Sequence, residues 1–355
     1  MKEYALFISI ITLVGLGTYE HALASSVMGN MVGFLIVFAV IMYSSMSVAH
    51  HAEVLAEKFG EPYGTMILTM SAVIVEIVII SIMMLHEHNP TLARDTIYSA
   101  IMLDINGLLG FAAIVGGLKY GEQPYNVDSS NSYLSMLLVA LGVAMVIPNF
   151  IPEASYNAFM LFNVVIFILL YLVFTRIQLK DHRYFFQYKE EDACVEENHC
   201  TTEHGEINAF YHTLLLVVSI VMIGLLSEIM AVFMSHDIEY LGLPMALSAV
   251  GVAIISAAPE LITAVRAALD NRMQTVINIA LGASLATVLL TIPAVIIIGM
   301  VTGLEIELAL TPVQGAMLGL TILVSMINFS DGETNMLEGF LHVILFILFA
   351  FLLFV

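Results

Sequence analysis

Long apolar runs dominate the sequence and are separated by short polar segments. A helix needs about 20 apolar residues to cross the hydrocarbon core of a bilayer. Eleven runs approach or exceed this length, at roughly 5–24, 31–55, 65–85, 96–118, 133–151, 156–175, 210–234, 243–265, 274–300, 312–328 and 338–355. Porin-type strands would instead alternate apolar and polar residues over about ten positions. The pattern therefore predicts an all-α polytopic membrane protein with eleven transmembrane helices.

The composition supports a membrane protein and indicates which partners it has. Of 355 residues, 60% are hydrophobic and 11% are charged, whereas soluble domains have about 45–50% and 25%. Thirty acidic residues outnumber ten Lys and Arg residues, which gives a formal net charge of −20. Because nucleic acids bind basic patches, this balance argues against nucleic acid as a partner and favours cations. The expected partners are inorganic cations, protons and the surrounding lipid bilayer.

The basic residues predict the orientation in the membrane, since cytoplasmic loops are rich in Lys and Arg. With a cytoplasmic N terminus and eleven alternating helices, nine of the ten basic residues fall inside and only Arg94 falls outside. The outer segments then carry the acids Glu87, Asp95, Glu153, Asp237, Glu239, Glu305 and Glu307. We therefore expect a multi-pass protein of the cell inner (plasma) membrane with an acidic outer face.

The N terminus has two interpretations. Lys2, an apolar stretch and Ala22-Leu23-Ala24 are typical of a secretory signal peptide with its cleavage site. However, Glu20 and His21 directly precede the proposed cut, and another apolar run follows at once. We favour an uncleaved first helix, within residues 1–28.

One long polar segment, 176–208, separates the sixth and seventh apolar runs and is predicted to be a cytoplasmic acidic loop. Its possible metal ligands are Cys194, His199, Cys200 and His204. Their spacing differs from that of standard zinc sites. A weak regulatory cation site and a solvated linker both remain open.

Two segments share a pattern that indicates an internal repeat. Glu57-Lys-Phe-Gly60-Glu-Pro62 and Glu239-Tyr-Leu-Gly242-Leu-Pro244 both read Glu-x-x-Gly-x-Pro. An apolar helix follows each, with Glu76 lying 14 residues after the first proline and Glu260 lying 16 after the second. In the predicted topology these helices run in opposite directions. We therefore predict two inverted five-helix repeats, 29–175 and 209–355, an organisation typical of secondary transporters with a site between the repeats.

The two repeated glutamates are the main candidate cation-binding residues. An ionised carboxylate near the bilayer centre costs roughly 2.5–3.5 kcal/mol, so Glu76 needs a cavity, a partner or a bound ion. Glu260 follows Pro259, which frees a backbone carbonyl one turn earlier. Carboxylate and carbonyl oxygens are ligands for hard metal cations. A packing contact between two protonated acids is the alternative interpretation.

The next helix of each repeat carries further polar groups. Asp104 and Asn106 lie in the first, and Asn278, Gly282, Ser284 and Thr287 lie in the second. Asn106 and Ser284 are expected to complete the coordination shell, and Asp104 adds an ionisable group. Small residues such as Ser284 serve helix packing equally well.

The cytoplasmic end of the second helix is a candidate vestibule for cations and protons. His50, Glu53 and Glu57 are spaced to share one helix face. An ordinary polar helix end is the competing interpretation. His342, in the last helix, is expected to be a polar packing residue.

These motifs resemble the calcium/cation antiporter superfamily, specifically its bacterial calcium (sodium, potassium)/proton antiporters. The resemblance is carried by the segment from His50 to Gly64, by Thr91-Leu-Ala-Arg-Asp-Thr96, by Ser256-Ala-Ala-Pro-Glu260 and by Phe329-Ser-Asp-Gly-Glu-Thr-Asn335. It covers nearly the whole chain. It implies inverted five-helix repeats behind a first helix, an acidic loop between them, and ion binding by Glu76 and Glu260.

The sequence departs from the family within its central motif. Each repeat of the calcium/proton exchangers carries Gly-Asn-x-x-Glu, but Ala72-Val73 and Ser256-Ala257 replace Gly-Asn here. The family's polar positions in the following helices correspond to Asn106 and to 282–284. The departure leaves the preferred cation open among Ca²⁺, Na⁺ and K⁺.

The resulting prediction is a secondary active transporter that exchanges Ca²⁺, or Na⁺ or K⁺, for protons by alternating access, without a cofactor. A cation channel and an intramembrane enzyme are the alternatives. The sequence lacks His-Glu-x-x-His, Gly-x-Ser-x-Gly and Gly-x-x-x-x-Gly-Lys-Ser/Thr, which excludes the usual metalloprotease, hydrolase and primary-pump designs. A channel would conduct ions without coupling to pH.

Overall fold

A computed structural model describes residues 4–59, 63–178 and 208–354. Within these ranges, the eleven predicted apolar runs are all helical, which confirms the predicted helical class. The helices are α1 (Tyr4–Ala24), α2 (Val27–Phe59), α3 (Tyr63–Glu87), α4 (Leu92–Tyr120), α5 (Val127–Phe150), α6 (Tyr156–Arg176), α7 (Ala209–Leu241), α8 (Ala246–Leu269), α9 (Met273–Thr302), α10 (Pro312–Asn328) and α11 (Met336–Leu352).

Among the described residues, eight helices, α2 to α9, are long and apolar enough to cross a membrane. The apolar stretches of α1, α10 and α11 have 17 residues each. Crossing by all eleven helices therefore stays a prediction.

Several helices extend beyond the predicted apolar runs because their terminal turns are polar. For example, α5 begins at Val127 and is capped by Asn126, whose side chain accepts a hydrogen bond from the Asp128 backbone N–H. The all-α class also needs one correction. Residues Glu122–Pro124 (β1) and Glu333–Asn335 (β2) form a short antiparallel pair between helices. Three-residue strands are too short to leave a periodic pattern in the sequence.

Two hydrophobic cores lie side by side in the bundle. One is built mainly from α2, α3, α7 and α8, and includes Ile41, Ile80 and Phe233. The other is built mainly from α4 to α6 and α8 to α11, and includes Ile105 and Leu281. Helix α8 contributes to both cores. The candidate site described below lies where α3, α4, α8 and α9 meet.

Arg94, which is buried in α4, links that helix to the polar segment before α10. The Arg94 guanidinium lies 2.9 Å from Asp95 and 3.4 Å from Glu307, and it donates to the Ala309 carbonyl. The Gln314 side chain also donates to Asp95, at 2.9 Å. These contacts bring two predicted outer acids to the same end of the molecule. Which side of the membrane this end faces stays a prediction.

We expect Arg94→Ala to lower the free energy of unfolding by about 3 kcal/mol, because it leaves Asp95 buried without its counter-charge. The matched control is Arg272→Ala, since Arg272 forms an exposed pair with Asp270 at 3.4 Å, and such pairs contribute about 0–1 kcal/mol. Thermal unfolding of both variants in detergent measures the difference. Equal shifts in the melting temperature would contradict a stabilising role for the Arg94 pair.

Candidate cation-binding site

Glu76 lies within α3 and is held by two hydroxyl groups from α9. Its side chain is buried, with 3% of the residue exposed. The hydroxyls of Thr287 and Thr291 donate to Glu76 Oε2 at 2.8 and 3.1 Å. The other oxygen, Oε1, is buried and has no hydrogen-bond partner among the described residues. One oxygen is thus oriented by the protein, and the second is left to bind a proton or a cation.

Asp104 is held in the same way by the same helix. It is also 3% exposed, and Ser284 of α9 donates to its Oδ2 at 3.0 Å. Ser284 and Thr287 are three residues apart, which is roughly 4.5 Å along a helix axis and places them on one face. Helix α9 therefore brings the carboxyl groups of Glu76 and Asp104 next to each other.

Both α4 and α9 contain a π-helical turn at the site. Residues Met102–Leu108 form the turn in α4, which carries Asp104, and Thr287–Thr291 form the turn in α9. Such turns are rare and are found frequently at functional sites, because the wider turn redirects side chains that a regular α-helix would aim elsewhere.

Glu260 of α8 supplies the third carboxyl group. It interacts electrostatically with both Asp104 and Glu76, and it is half-buried whereas the other two are buried. Pro259 releases the backbone carbonyl of Ile255, four residues earlier. That carbonyl accepts a hydrogen bond from Ser45 of α2 at 3.3 Å. In this conformation the freed carbonyl therefore joins α8 to α2.

Asn106, a predicted ligand, contacts neither Ser284 nor the glutamates through a hydrogen bond among the described residues. Its amide nitrogen donates to Thr321 of α10 at 2.8 Å, and its amide oxygen pairs with His342 of α11 at 3.0 Å. The structure thus brings together Glu76, Glu260, Asp104 and Ser284, and it places Asn106 in a neighbouring polar cluster. Direct ion binding by Asn106 stays a prediction.

The predicted vestibule is described only in part. His50 is half-buried and Glu53 is exposed, and the side chain of Glu57 lies outside the described residues. The buried neighbour His51 faces α7 instead, with its Nδ1 3.0 Å from that of His212. The four Cys and His residues of the acidic loop, and 60–62 of the first repeat motif, also lie outside the described residues.

Thr291 is the site residue that sequence reasoning missed. Ser284, Thr287 and Thr291 recur at intervals of three and four residues in 279–301, an otherwise apolar part of α9. This spacing predicts one hydroxyl-bearing face. The spacing could therefore have identified Thr291. Threonine hydroxyls within apolar helices usually bond to their own backbone, however, so a threonine alone does not indicate a site.

Comparisons with known proteins agree on one family. The family described as "Sodium/calcium exchanger protein" matches residues 29–180 and 211–355. The sodium-potassium/proton antiporter ChaA of Escherichia coli (strain K12) is 34% identical over 311 residues, which are 86% of this chain and 84% of that protein. The Ca(2+)/H(+) antiporter of Aphanothece halophytica is 25% identical over 265 residues, 70% of each protein.

A solved structure shares the fold. Native YfkE covers 98% of this chain and 99% of its own, with 21% identity and a TM-score of 0.78. The resemblance to calcium/cation antiporters that the motifs indicated is thus confirmed at the level of the family. The match reaches both predicted halves and leaves out most of the acidic loop between them. The chain belongs to the sodium/calcium exchanger protein family.

Proposed function

We propose that this protein is a secondary active transporter that exchanges Ca²⁺, or Na⁺ or K⁺, for protons across the membrane. The observation that carries the proposal is that two buried acids of different helices, Glu76 of α3 and Asp104 of α4, are both held by hydroxyl groups of α9, with Glu260 of α8 as the neighbouring third acid. The relatives named above are a sodium-potassium/proton and a calcium/proton antiporter, which supports the same substrates here.

The charge of the site explains how one set of residues exchanges cations for protons. Three neighbouring carboxylates repel one another, so their negative charge must be neutralised either by protons or by a cation. A cation that binds displaces protons, and protons that bind displace the cation. Cation and proton movement are coupled if the site becomes accessible from the other side of the membrane only when its charge is neutralised. An empty site with ionised carboxylates would make this change slowly, because uncompensated charge within the membrane interior is costly.

The donor set favours hard cations. Three carboxyl groups and the hydroxyls of Ser284, Thr287 and Thr291 offer oxygen only, which is the ligand type that Ca²⁺ and Na⁺ prefer. Among the described residues, no three His, Cys, Asp or Glu side chains converge closely enough to hold a metal ion. Binding is therefore expected to draw the carboxyl groups of Glu76, Asp104 and Glu260 closer together.

The placement of the site supports the proposed inverted repeats and alternating access. Helices α3 and α4 are the second and third of 29–175, and α8 and α9 are the second and third of 209–355. The two halves thus supply corresponding helices, and the third helix of each contains a π-helical turn at the site. We propose that the halves move relative to each other around this site, in a plasma membrane with the N terminus in the cytoplasm.

The test uses inside-out membrane vesicles with an imposed proton gradient that a fluorescent probe reports. Addition of a transported cation is expected to dissipate the gradient in proportion to cation uptake. Parallel addition of Ca²⁺, Na⁺, K⁺ and Mg²⁺ identifies the substrates. Cation flux that continues without any proton movement would identify a channel and overturn the proposal.

A further inference from the structure

A second buried polar cluster lies next to the carboxyl groups. It consists of Asn106, Thr321 and His342, all of which are fully buried. Asn106 lies on the π-helical turn Met102–Leu108 that also carries Asp104. The cluster therefore joins α10 and α11 to the segment that presents one of the three acids.

His342 is fixed in place by more than one contact. With the Asn106 amide oxygen as acceptor, Nδ1 of His342 is the donor, at 3.0 Å. The imidazole ring stacks on the ring of Phe329, with centroids 5.3 Å apart and planes 6° from parallel. Its other nitrogen, Nε2, is buried without a hydrogen-bond partner in the described residues. The hydrogen bond to Asn106 is thus the one polar contact of this ring among them.

Two glycines bring the backbones of α4 and α11 close together at this level. A Cβ atom on Gly110 would lie 2.8 Å from Cβ of His342, and one on Gly339 would lie 2.7 Å from the Gly110 carbonyl oxygen. The two helices therefore have little freedom to slide past each other. Helix α11 acts as a fixed support from which His342 reaches the Asn106 amide.

We infer that His342 is a positioning residue of the cation site, which acts through Asn106. The pair fixes the π-helical turn of α4 and so sets the direction in which Asp104 presents its carboxyl group. A π-helical turn replaces the i→i+4 hydrogen bonds of an α-helix with i→i+5 bonds and is rare, so contacts such as the one between His342 and Asn106 help to hold it in place. The inference rests on the proposed function, and it gives Asn106 a supporting role instead of that of an ion ligand.

The test compares two substitutions of the same residue in purified protein, with cation binding measured by calorimetry using Ca²⁺ and, separately, Na⁺. Glutamine can both donate to and accept from the Asn106 amide, whereas phenylalanine keeps the stacking on Phe329 and loses the hydrogen bond. We expect His342→Phe to weaken binding about 10-fold, as loss of one buried hydrogen bond predicts, and His342→Gln to stay within about 2-fold of the unmodified protein.

A double-mutant cycle with Asn106→Leu separates positioning from general damage to the core. If His342 acts through Asn106, the double variant binds no more weakly than Asn106→Leu alone. Should His342→Phe fail to fold, Thr321→Val removes the other partner of the same amide and is expected to weaken binding in the same direction. Ser325→Ala is the control, since among the described residues the hydroxyl of this buried serine bonds to the Thr321 carbonyl of its own helix.

Three results would overturn the inference: unchanged binding in folded His342→Phe, equal impairment by phenylalanine and glutamine, or effects that multiply in the double variant. Binding and exchange are measured separately, so the two proposals fail in different ways. Protein that binds cations normally but does not exchange them for protons would overturn the proposed function and leave the role of His342 to be decided by the binding data.

Discussion

Replacing Glu76 with glutamine is expected to reduce proton-coupled cation exchange by at least about 100-fold, because a neutral amide neither attracts the cation nor releases a proton. Glutamine keeps an acceptor oxygen for the hydroxyls of Thr287 and Thr291, so the protein should still fold. The same loss is expected for Glu260→Gln, which removes the half-buried carboxyl group. The vesicle assay of gradient dissipation measures both variants.

The matched control for these substitutions is Glu122→Gln. Glu122 is an exposed acid in β1, away from the carboxyl cluster, so its charge should not affect exchange. Expression and thermal unfolding must be similar in all three variants for the comparison to count. Normal exchange by folded Glu76→Gln or Glu260→Gln protein would exclude this site.

The helices were predictable because a bilayer imposes a length on every span. Each apolar run had to be about 20 residues long, and the structure has a helix at each of them within the described residues. The polar ends of these helices were not predictable from apolar runs. Their boundaries depend on local contacts, such as the Asn126 cap at the start of α5.

The acids of the site were predictable, but most of their partners were not. A carboxylate within an apolar helix is costly, so Glu76, Asp104 and Glu260 are conspicuous in the sequence. A threonine or an asparagine in the same setting is common, and its partner depends on which helix packs beside it. This is why Thr291 was missed and why the contacts of Asn106 with α10 and α11 could not be foreseen.

The π-helical turns of α4 and α9 could not be predicted from the sequence either. A π-helical turn differs from an α-helical turn by one residue, and no residue type in Met102–Leu108 specifies it. Its consequence is nonetheless large, because the turn decides which of Asp104 and Asn106 faces the other acids. Both α4 and α9 contain such a turn where they carry polar side chains of the site.

The charge at Asp104 offers the sharpest test of cation preference. The attraction between a carboxylate and Ca²⁺ is twice that for Na⁺ at the same distance. If Asp104→Asn weakens Na⁺ binding about 10-fold, the doubled electrostatic energy therefore predicts a loss of about 100-fold for Ca²⁺. Half-saturating concentrations for the two cations, measured in the same preparation, give both factors and hence the change in preference.

Ser284→Ala is the matched control for this effect. It removes the hydroxyl that donates to Asp104 Oδ2 at 3.0 Å but leaves the charge in place. Affinity is expected to fall for both cations, but the ratio of the Ca²⁺ and Na⁺ affinities should change much less than in Asp104→Asn, because a hydroxyl dipole attracts either ion far less strongly than a full carboxylate charge does. Equal losses for the two cations in Asp104→Asn would mean that Asp104 is a structural acid and that Glu76 and Glu260 alone bind the transported ion.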